Sequence, residues 1–215
     1  MNTAFVFNST VKPSLSLNYL VALPENHKET DNLPMIVFLH GECERGNEVE
    51  KVKNLGLAKT YEKHIPRGFI VLSPQCPENR CWENYVEELM ELIEHVASQY
   101  HVDKKRISIT GLSMGGSGTW AMGINYPDYF SAMAPICGGE MEWRADRLKD
   151  IPIKAFHGVL DPVVPVKRSI DMVKAVNKAG GKATITLYGK VAHNAWDYAY
   201  TGSELVDWLI GNIKD

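Results

Sequence analysis

The chain has 215 residues, of which 45% are hydrophobic and 23% are charged, and its formal net charge at pH 7 is −3. This length predicts a single domain, over residues 1–215, with a substantial core. The net charge is too small to indicate a nucleic-acid or anionic-membrane partner. No apolar run approaches the length of a transmembrane helix, so no membrane partner is expected.

The N-terminus and the cysteines bear on the cellular compartment. Residues 1–10 contain no basic stretch and no long apolar run, so we expect no signal peptide. Four cysteines (Cys43, Cys76, Cys81 and Cys137) do not suggest a disulfide framework in a chain of this length. Cys76 and Cys81 are close enough in sequence to pair, but we expect reduced thiols and a cytoplasmic protein.

The first half of the chain alternates between predicted strands and helices. A strand is predicted over 15–23, at a sheet edge, and a polar loop over 24–34. The runs 35–39 and 69–72 are wholly apolar, as in strands buried on both faces, and a helix is predicted between them around 50–63. A helix over 84–100 carries glutamates opposite its apolar residues, which predicts a solvated face and not a metal site: Glu87, Glu88, Glu91 and Glu94.

The second half of the chain continues this alternation. Strands are predicted over 107–110, 131–136, 153–156 and 183–187, and helices over 114–125, 165–179 and 204–213. Strands that alternate with helices favour an α/β fold, with a mostly parallel sheet covered by helices on both faces.

A glycine-rich turn joins the strand over 107–110 to the helix over 114–125. Gly111-Leu112-Ser113-Met114-Gly115 matches G-x-S-x-G, which between a strand and a helix is typical of a nucleophilic serine. Such a turn strains the serine backbone and leaves no room for side chains at Gly111 and Gly115. Ser113 would also lie at a helix N-terminus, which favours negative charge. The alternative is an ordinary glycine-rich turn.

A serine nucleophile needs a base, and the base needs a group that orients it. In parallel sheets, functional groups gather beyond the carboxyl ends of the strands. Asp161 follows the strand over 153–156, and His193 follows the strand over 183–187. The order Ser113, Asp161, His193 is that of α/β-hydrolases. Alternatively, Asp161 is a turn residue before Pro162, and His193 is bonded to backbone.

The other histidines are predicted to have structural or surface positions. His27, His64, His95 and His101 are expected at the surface, whereas His40 and His157 end buried strands and are expected to shape loops. The sequence contains no H-E-x-x-H motif, no clustered Cys/His spacing and no phosphate-binding loop, so we expect neither a metal nor a cofactor.

Several segments together resemble a known family: His40-Gly41, Glu44-Arg45-Gly46, 73–77, 111–116, 135–139, His157-Gly158 with Asp161, and 193–196. In their order, the chain resembles α/β-hydrolases of the serine esterase group, which includes carboxylesterase/phospholipase-like enzymes, dienelactone-hydrolase relatives and predicted peptidases. The resemblance implies the α/β-hydrolase fold and a triad of Ser113, Asp161 and His193. It also implies an oxyanion hole made by the backbone N–H groups of Met114 and Glu42.

The turn after His40-Gly41 departs from the family pattern. Relatives usually have small residues there, whereas this chain has Glu42 and Cys43. A carboxylate beside the oxyanion would raise its energy. We therefore expect the Glu42 side chain to face solvent or to pair with Arg45.

These observations predict a serine hydrolase that cleaves carboxylic esters with short or small acyl groups through an acyl-enzyme. Residues 138–150 are too few for a cap domain, so the site is expected to be open, with a small-molecule ester as its partner. Met141, Trp82, Trp143 and Trp196 are candidates for its walls, or are packing residues. A serine peptidase, an acyltransferase and a non-catalytic binding module remain alternatives, and the oligomeric state is not determined by the sequence.

Overall fold

The computed structural model describes residues 2–25, 27–28, 31–61 and 68–214. The predicted loop over 24–34 and the predicted helix over 50–63 lie partly outside these residues, and His64 lies outside them altogether.

An eight-stranded sheet forms the centre of the molecule, in the order β1-β2-β4-β3-β5-β6-β7-β8. Strand β2 pairs antiparallel with β1 and with β4, and the other pairs of neighbours are parallel. The predicted mostly parallel sheet is therefore confirmed. The strands are β1 (Asn2–Asn8), β2 (Ser16–Ala22), β3 (Met35–Leu39), β4 (Ile70–Pro74), β5 (Ile107–Leu112), β6 (Ala132–Ile136), β7 (Ile153–Gly158) and β8 (Ala183–Tyr188).

Helices cover both faces of the sheet, as predicted. One apolar cluster packs α2, α3 and α4 on one face, and a second packs α1, α5 and α6 on the other. Strand β3 shows why its sequence is apolar throughout, since Val37 lies in the first cluster and Phe38 in the second. The helices are α1 (Gly56–Thr60), α2 (Val86–Gln99), α3 (Met114–Asn125), α4 (Lys167–Lys178), α5 (Trp196–Ala199) and α6 (Glu204–Gly211).

Two sequence predictions about the N-terminal half are wrong. Strand β1 was not predicted, and because it occupies the sheet edge, the strand over 15–23 lies inside the sheet. The helix predicted around 50–63 is divided into a 3₁₀ helix at Val49–Asn54 and α1. Leu55 is extended between them, and Gly56 has a φ of +61° that interrupts regular helix.

The glutamates of α2 do not form a uniformly solvated face. Glu87 is exposed as predicted, but Glu88 is buried. The Glu91 carboxylate accepts hydrogen bonds from the Ser9 hydroxyl at 2.6 Å, from the Thr10 N–H at 2.7 Å and from the Thr10 hydroxyl. The hydrogen bonds of Glu91 thus hold the β1–β2 connection against α2.

The connection between β6 and β7 is short, as predicted. It contains one 3₁₀ helix, Glu142–Leu148, and no cap domain lies between these strands. Across the ranges that the structure describes, no helix has the length and hydropathy needed to cross a bilayer.

Candidate active site

Ser113 lies in a sharp turn between β5 and α3. Its φ of 54° and ψ of −117° place it in a strained conformation for a residue with a side chain. The flanking glycines are sterically required: a Cβ at Gly115 would lie 2.0 Å from the carbonyl oxygen of Leu39, and a Cβ at Gly111 would lie 2.3 Å from that of Gly115. The structure thus has the strand–turn–helix geometry that the sequence predicted.

The structure brings Ser113, His193 and Asp161 together. Nε2 of His193 lies 2.8 Å from Oγ of Ser113, and Nδ1 lies 2.7 Å from Oδ2 of Asp161. Because a carboxylate can only accept, Nδ1 carries the proton, and Nε2 accepts from the serine hydroxyl. The Asp161 side chain is fully buried, whereas the His193 side chain is 19% exposed.

The Asp161 carboxylate is held in its charged form. Burial by itself raises the pKa of this carboxyl, but hydrogen bonds from His193 and from the N–H groups of Val164 and Val163 outweigh burial and bring its pKa below the usual value. The two backbone bonds to Oδ1 are 2.9 Å and 2.8 Å long. A charged carboxylate next to His193 stabilises the imidazolium that forms if His193 takes up a proton.

The turn after β3 is fixed by buried hydrogen bonds around His40. Nδ1 of His40 donates to the Gly41 carbonyl at 2.6 Å, and Nε2 accepts the Cys76 N–H at 2.9 Å. Burial lowers the pKa of His40 to about 4, so the ring is neutral at pH 7. These contacts confirm the loop-shaping role predicted for His40. The Trp82 indole also donates to the His40 carbonyl, at 3.0 Å.

The Glu42 side chain points away from the turn. It is 68% exposed and forms an ion pair of 2.6 Å with Arg45, so the orientation expected from the sequence is confirmed. The neighbouring Glu44 is instead buried and accepts the Gly41 N–H at 3.1 Å, a contact that the sequence analysis missed. Met114 and Glu42 begin helical turns, and the N–H groups of such first residues have no acceptor within the helix.

The tryptophans that the sequence offered as wall residues have three different environments. Trp82 is 1% exposed and packs beneath the His40 turn, so its suggested contact with substrate is wrong. Trp196 is 9% exposed and lies edge-on to the His193 ring, with 5.1 Å between the centroids. Trp143 is 74% exposed on the β6–β7 connection, where it is open to solvent.

His157 contacts the same carboxylate as His193, which the sequence analysis did not predict. Its Nε2 lies 3.1 Å from Oδ2 of Asp161. The signal was available in the sequence, because His157 is the penultimate residue of β7 and Asp161 follows four residues later.

Cys137, His157 and Asp161 have ligand-type atoms within 4.8 Å of one another, the spacing of a possible metal site. Each of these atoms already takes part in hydrogen bonds. Burial raises the pKa of the Cys137 thiol to about 12, which disfavours the thiolate that a metal would need. The absence of a metal stays a prediction. All four cysteines are free thiols.

The sheet order and the strand–turn–helix geometry at Ser113 define an α/β-hydrolase fold. Residues 14–196 match the model of the esterase family described as "Putative esterase". The chain therefore belongs to this esterase family.

Individual relatives agree with this assignment. The solved structure of a thermostable esterase is 32% identical, with a TM-score of 0.91 over 99% of this chain and 63% of that one. S-formylglutathione hydrolase of Rattus norvegicus is 34% identical over 44% of this chain and 32% of its own length. Poly(3-hydroxyalkanoate) depolymerase C of Paucimonas lemoignei is 28% identical over 50% of this chain and 28% of its own length. The chain thus spans less than two thirds of each of these three relatives.

Proposed function

We propose that this protein is a serine esterase that hydrolyses carboxylic esters through Ser113, His193 and Asp161. The observation that carries the proposal is the continuous hydrogen-bond chain from Ser113 to His193 (2.8 Å) and from His193 to Asp161 (2.7 Å). Membership of the esterase family supports the same reaction class.

In the proposed reaction, Ser113 attacks the ester carbonyl while His193 Nε2 takes its proton. Asp161 holds the imidazole by Nδ1 and stabilises the cation. The N–H groups of Met114 and Glu42 donate to the oxyanion of the tetrahedral intermediate. Loss of one donor in comparable sites costs about 3 kcal/mol of transition-state stabilisation. His193 then returns the proton to the leaving alcohol, and a water activated by His193 hydrolyses the acyl-enzyme.

The proposed substrates are esters with short or small acyl groups. The partial exposure of His193 and the short β6–β7 connection support an open site without the long enclosed channel that a long acyl chain requires. Trp196 beside His193, and Trp143 on the β6–β7 connection, are the proposed contacts for the rest of the substrate. The reaction as proposed uses protein groups and water.

Hydrolysis of p-nitrophenyl esters from acetyl to decanoyl tests this proposal, with wild type compared with Ser113→Ala. We expect kcat/KM to fall with chain length and to be lost in the variant. Ser117→Ala is the matched control, because Ser117 lies one turn along α3 and its hydroxyl donates to the Gly139 carbonyl.

Two outcomes would contradict the proposal. A folded wild-type protein without activity on any ester of the series would exclude the simple esterase, and peptides and acyl acceptors would be tested next. Activity that rises steadily to decanoyl would contradict the short-acyl preference but not the triad.

A further inference from the structure

We infer that His157 is a positioning residue for the proposed triad: its Nε2–H is a second donor to Asp161 Oδ2 and limits how strongly that carboxylate stabilises a protonated His193. The inference rests on the proposed function, in which Asp161 orients His193. His157 acts through Asp161 and is not itself a catalytic residue.

The tautomer of His157 follows from its surroundings. Nε2 faces two oxygens, Oδ2 of Asp161 at 3.1 Å and the carbonyl of Val164 at 3.0 Å. Both oxygens can only accept, so Nε2 must carry a proton. The His157 side chain is fully buried, so water does not replace either contact.

The opposite edge of the ring is held as well. Nδ1 of His157 lies 2.7 Å from the Ser169 hydroxyl, which lies 2.7 Å from the Gly138 carbonyl. Ser169 is on α4 and is fully buried. The Ser169 hydroxyl donates its single proton to the Gly138 carbonyl, and its oxygen holds the Nδ1 edge of the His157 ring in place. Burial lowers the pKa of His157, which favours the neutral ring. The ring cannot turn away from Asp161 without breaking buried hydrogen bonds.

The consequence lies in the hydrogen bonds that Asp161 receives. Two backbone N–H groups donate to Oδ1, and two imidazole N–H groups donate to Oδ2. Each donor stabilises the negative charge, so this carboxylate attracts a proton on His193 less strongly than a carboxylate with one imidazole partner would.

Among the residues that the structure describes, three titratable groups face Asp161 from the ends of three different strands. They are His157 at the end of β7, His193 after β8 and the Cys137 thiol after β6. The pKa of Cys137, raised by burial to about 12, keeps this thiol neutral through the working pH range. The effect of removing the His157 donor should therefore appear in the protonation of His193.

Two amide variants test the hydrogen bonds at Nδ1 and at Nε2 of His157 separately. In His157→Asn the amide reaches the place of Nδ1 only, so the donor to Asp161 is lost. In His157→Gln the amide nitrogen reaches the place of Nε2 and can restore that donor. We expect His157→Asn to move the acid limb of the kcat/KM–pH profile upward by roughly half to one pH unit, and His157→Gln to keep it near the wild-type position. If both variants lose activity equally with the acid limb unmoved, His157 is merely structural and the inference is wrong.

Nitrogen-15 NMR of histidine-labelled protein tests the inference without any hydrolysis. In the wild type we expect neutral His157 with its proton on Nε2, and in His157→Asn we expect His193 to keep its proton to a higher pH. An Nδ1-protonated His157, or an unchanged His193 titration in the folded variant, would overturn the inference. If His157→Asn does not fold, the position of the proton on His157 in the wild type tests the inference by itself. If the wild type hydrolyses no ester but both expected NMR results are obtained, the proposed function is wrong and the hydrogen bond from His157 to Asp161 is still supported.

Discussion

At the scale of single residues, Glu42 shows how a carboxylate is tolerated beside a proposed oxyanion hole. Its side chain is 68% exposed and is paired with Arg45, so its charge is screened by solvent and by a cation. We expect Glu42→Ala to change kcat for p-nitrophenyl acetate by less than about threefold, because such an exposed pair contributes under about 1 kcal/mol. An increase of tenfold or more would show that the carboxylate does oppose the oxyanion.

Arg45→Ala is the informative partner of that variant. Arg45 also donates to the backbone carbonyls of Glu42, at 3.1 Å, and of Arg80, at 3.0 Å. Its removal leaves the Glu42 charge unpaired and loosens the turn, so we expect a larger loss of kcat than in Glu42→Ala.

The proposed triad residues could be chosen from the sequence because each follows a strand of a parallel sheet. Ser113, Asp161 and His193 follow β5, β7 and β8, and the strand-end rule needs no knowledge of distances. The second partner of Asp161 was missed, although the four-residue spacing between His157 and Asp161 is visible in the sequence. The hydrogen bond with Ser169 that holds the His157 ring in place depends on how α4 packs, and the sequence does not show this. Trp82 was a candidate for the wall of the active site because the sequence does not distinguish a tryptophan buried under a turn from one that lines a site.

At the scale of elements, Gly115 joins α3 to the end of β3. A Cβ at this position would meet the Leu39 carbonyl oxygen at 2.0 Å and that of His40 at 2.6 Å, and both are backbone atoms that cannot move away cheaply. We expect Gly115→Ala to reduce the free energy of urea unfolding by about 3 kcal/mol and to abolish hydrolysis. Gly189→Ala is the control, with an expected change within about 0.5 kcal/mol, since no atom lies within 4 Å of its Cβ. Equal stability of the two variants would contradict this account of the turn.

The connection between β1 and β2 depends on one carboxylate of α2. Hydrogen bonds from Ser9 and Thr10 lower the pKa of Glu91 to about 2. A lowered carboxyl pKa stabilises the fold above the unfolded value of 4.5, and this contribution is lost as the pH falls towards 2. Hydrogen exchange of the β1 amides should therefore be faster in Glu91→Gln than in wild type at pH 6, but Glu87→Gln, on the same helix, should behave like wild type. Equal exchange in all three proteins would show that Glu91 does not hold the strand.

Strand β1 and the break in the helix predicted around 50–63 are features that local sequence patterns do not predict. In β1, Phe5 and Phe7 pack on the first apolar cluster, but Val6 on the opposite face is 62% exposed. The run over residues 4–7 therefore lacks the alternation of apolar and polar residues that predicts an edge strand. The stretch around 50–63 has helical composition, yet a Cβ at Gly56 would meet the Phe38 ring at 2.5 Å. The break there thus fits close packing against β3, which a single helix pattern does not contain.

At the scale of the whole molecule, buried neutral histidines make stability depend on pH. Burial lowers the pKa of His40 to about 4 from an ordinary value of 6.5, so the unfolded chain takes up a proton first as the pH falls. Stability from this residue is complete above pH 6.5 and is lost progressively down to about pH 4, by about 3 kcal/mol. His157 also makes the fold less stable as the pH falls, since burial lowers its pKa too.

Urea unfolding between pH 7.5 and pH 4 measures this dependence. His40→Asn should be less stable than wild type at pH 7, because its amide reaches the place of Nδ1 only and the Cys76 N–H loses its acceptor. Its stability should nevertheless decline less steeply towards pH 4. Parallel curves for the two proteins would show that His40 does not control the acid response.

In the proposed mechanism, the parallel strands β3, β5, β7 and β8 place one nucleophile and its partners at one edge of the sheet. Labelling with a fluorophosphonate, followed by peptide mass spectrometry, tests it most directly because the reagent reacts with activated serines. We predict one adduct per chain, on Ser113, in the wild type and in Ser117→Ala, and none in Ser113→Ala or in a folded His193→Ala. An adduct on another serine, or undiminished labelling of Ser113 without His193, would contradict this account.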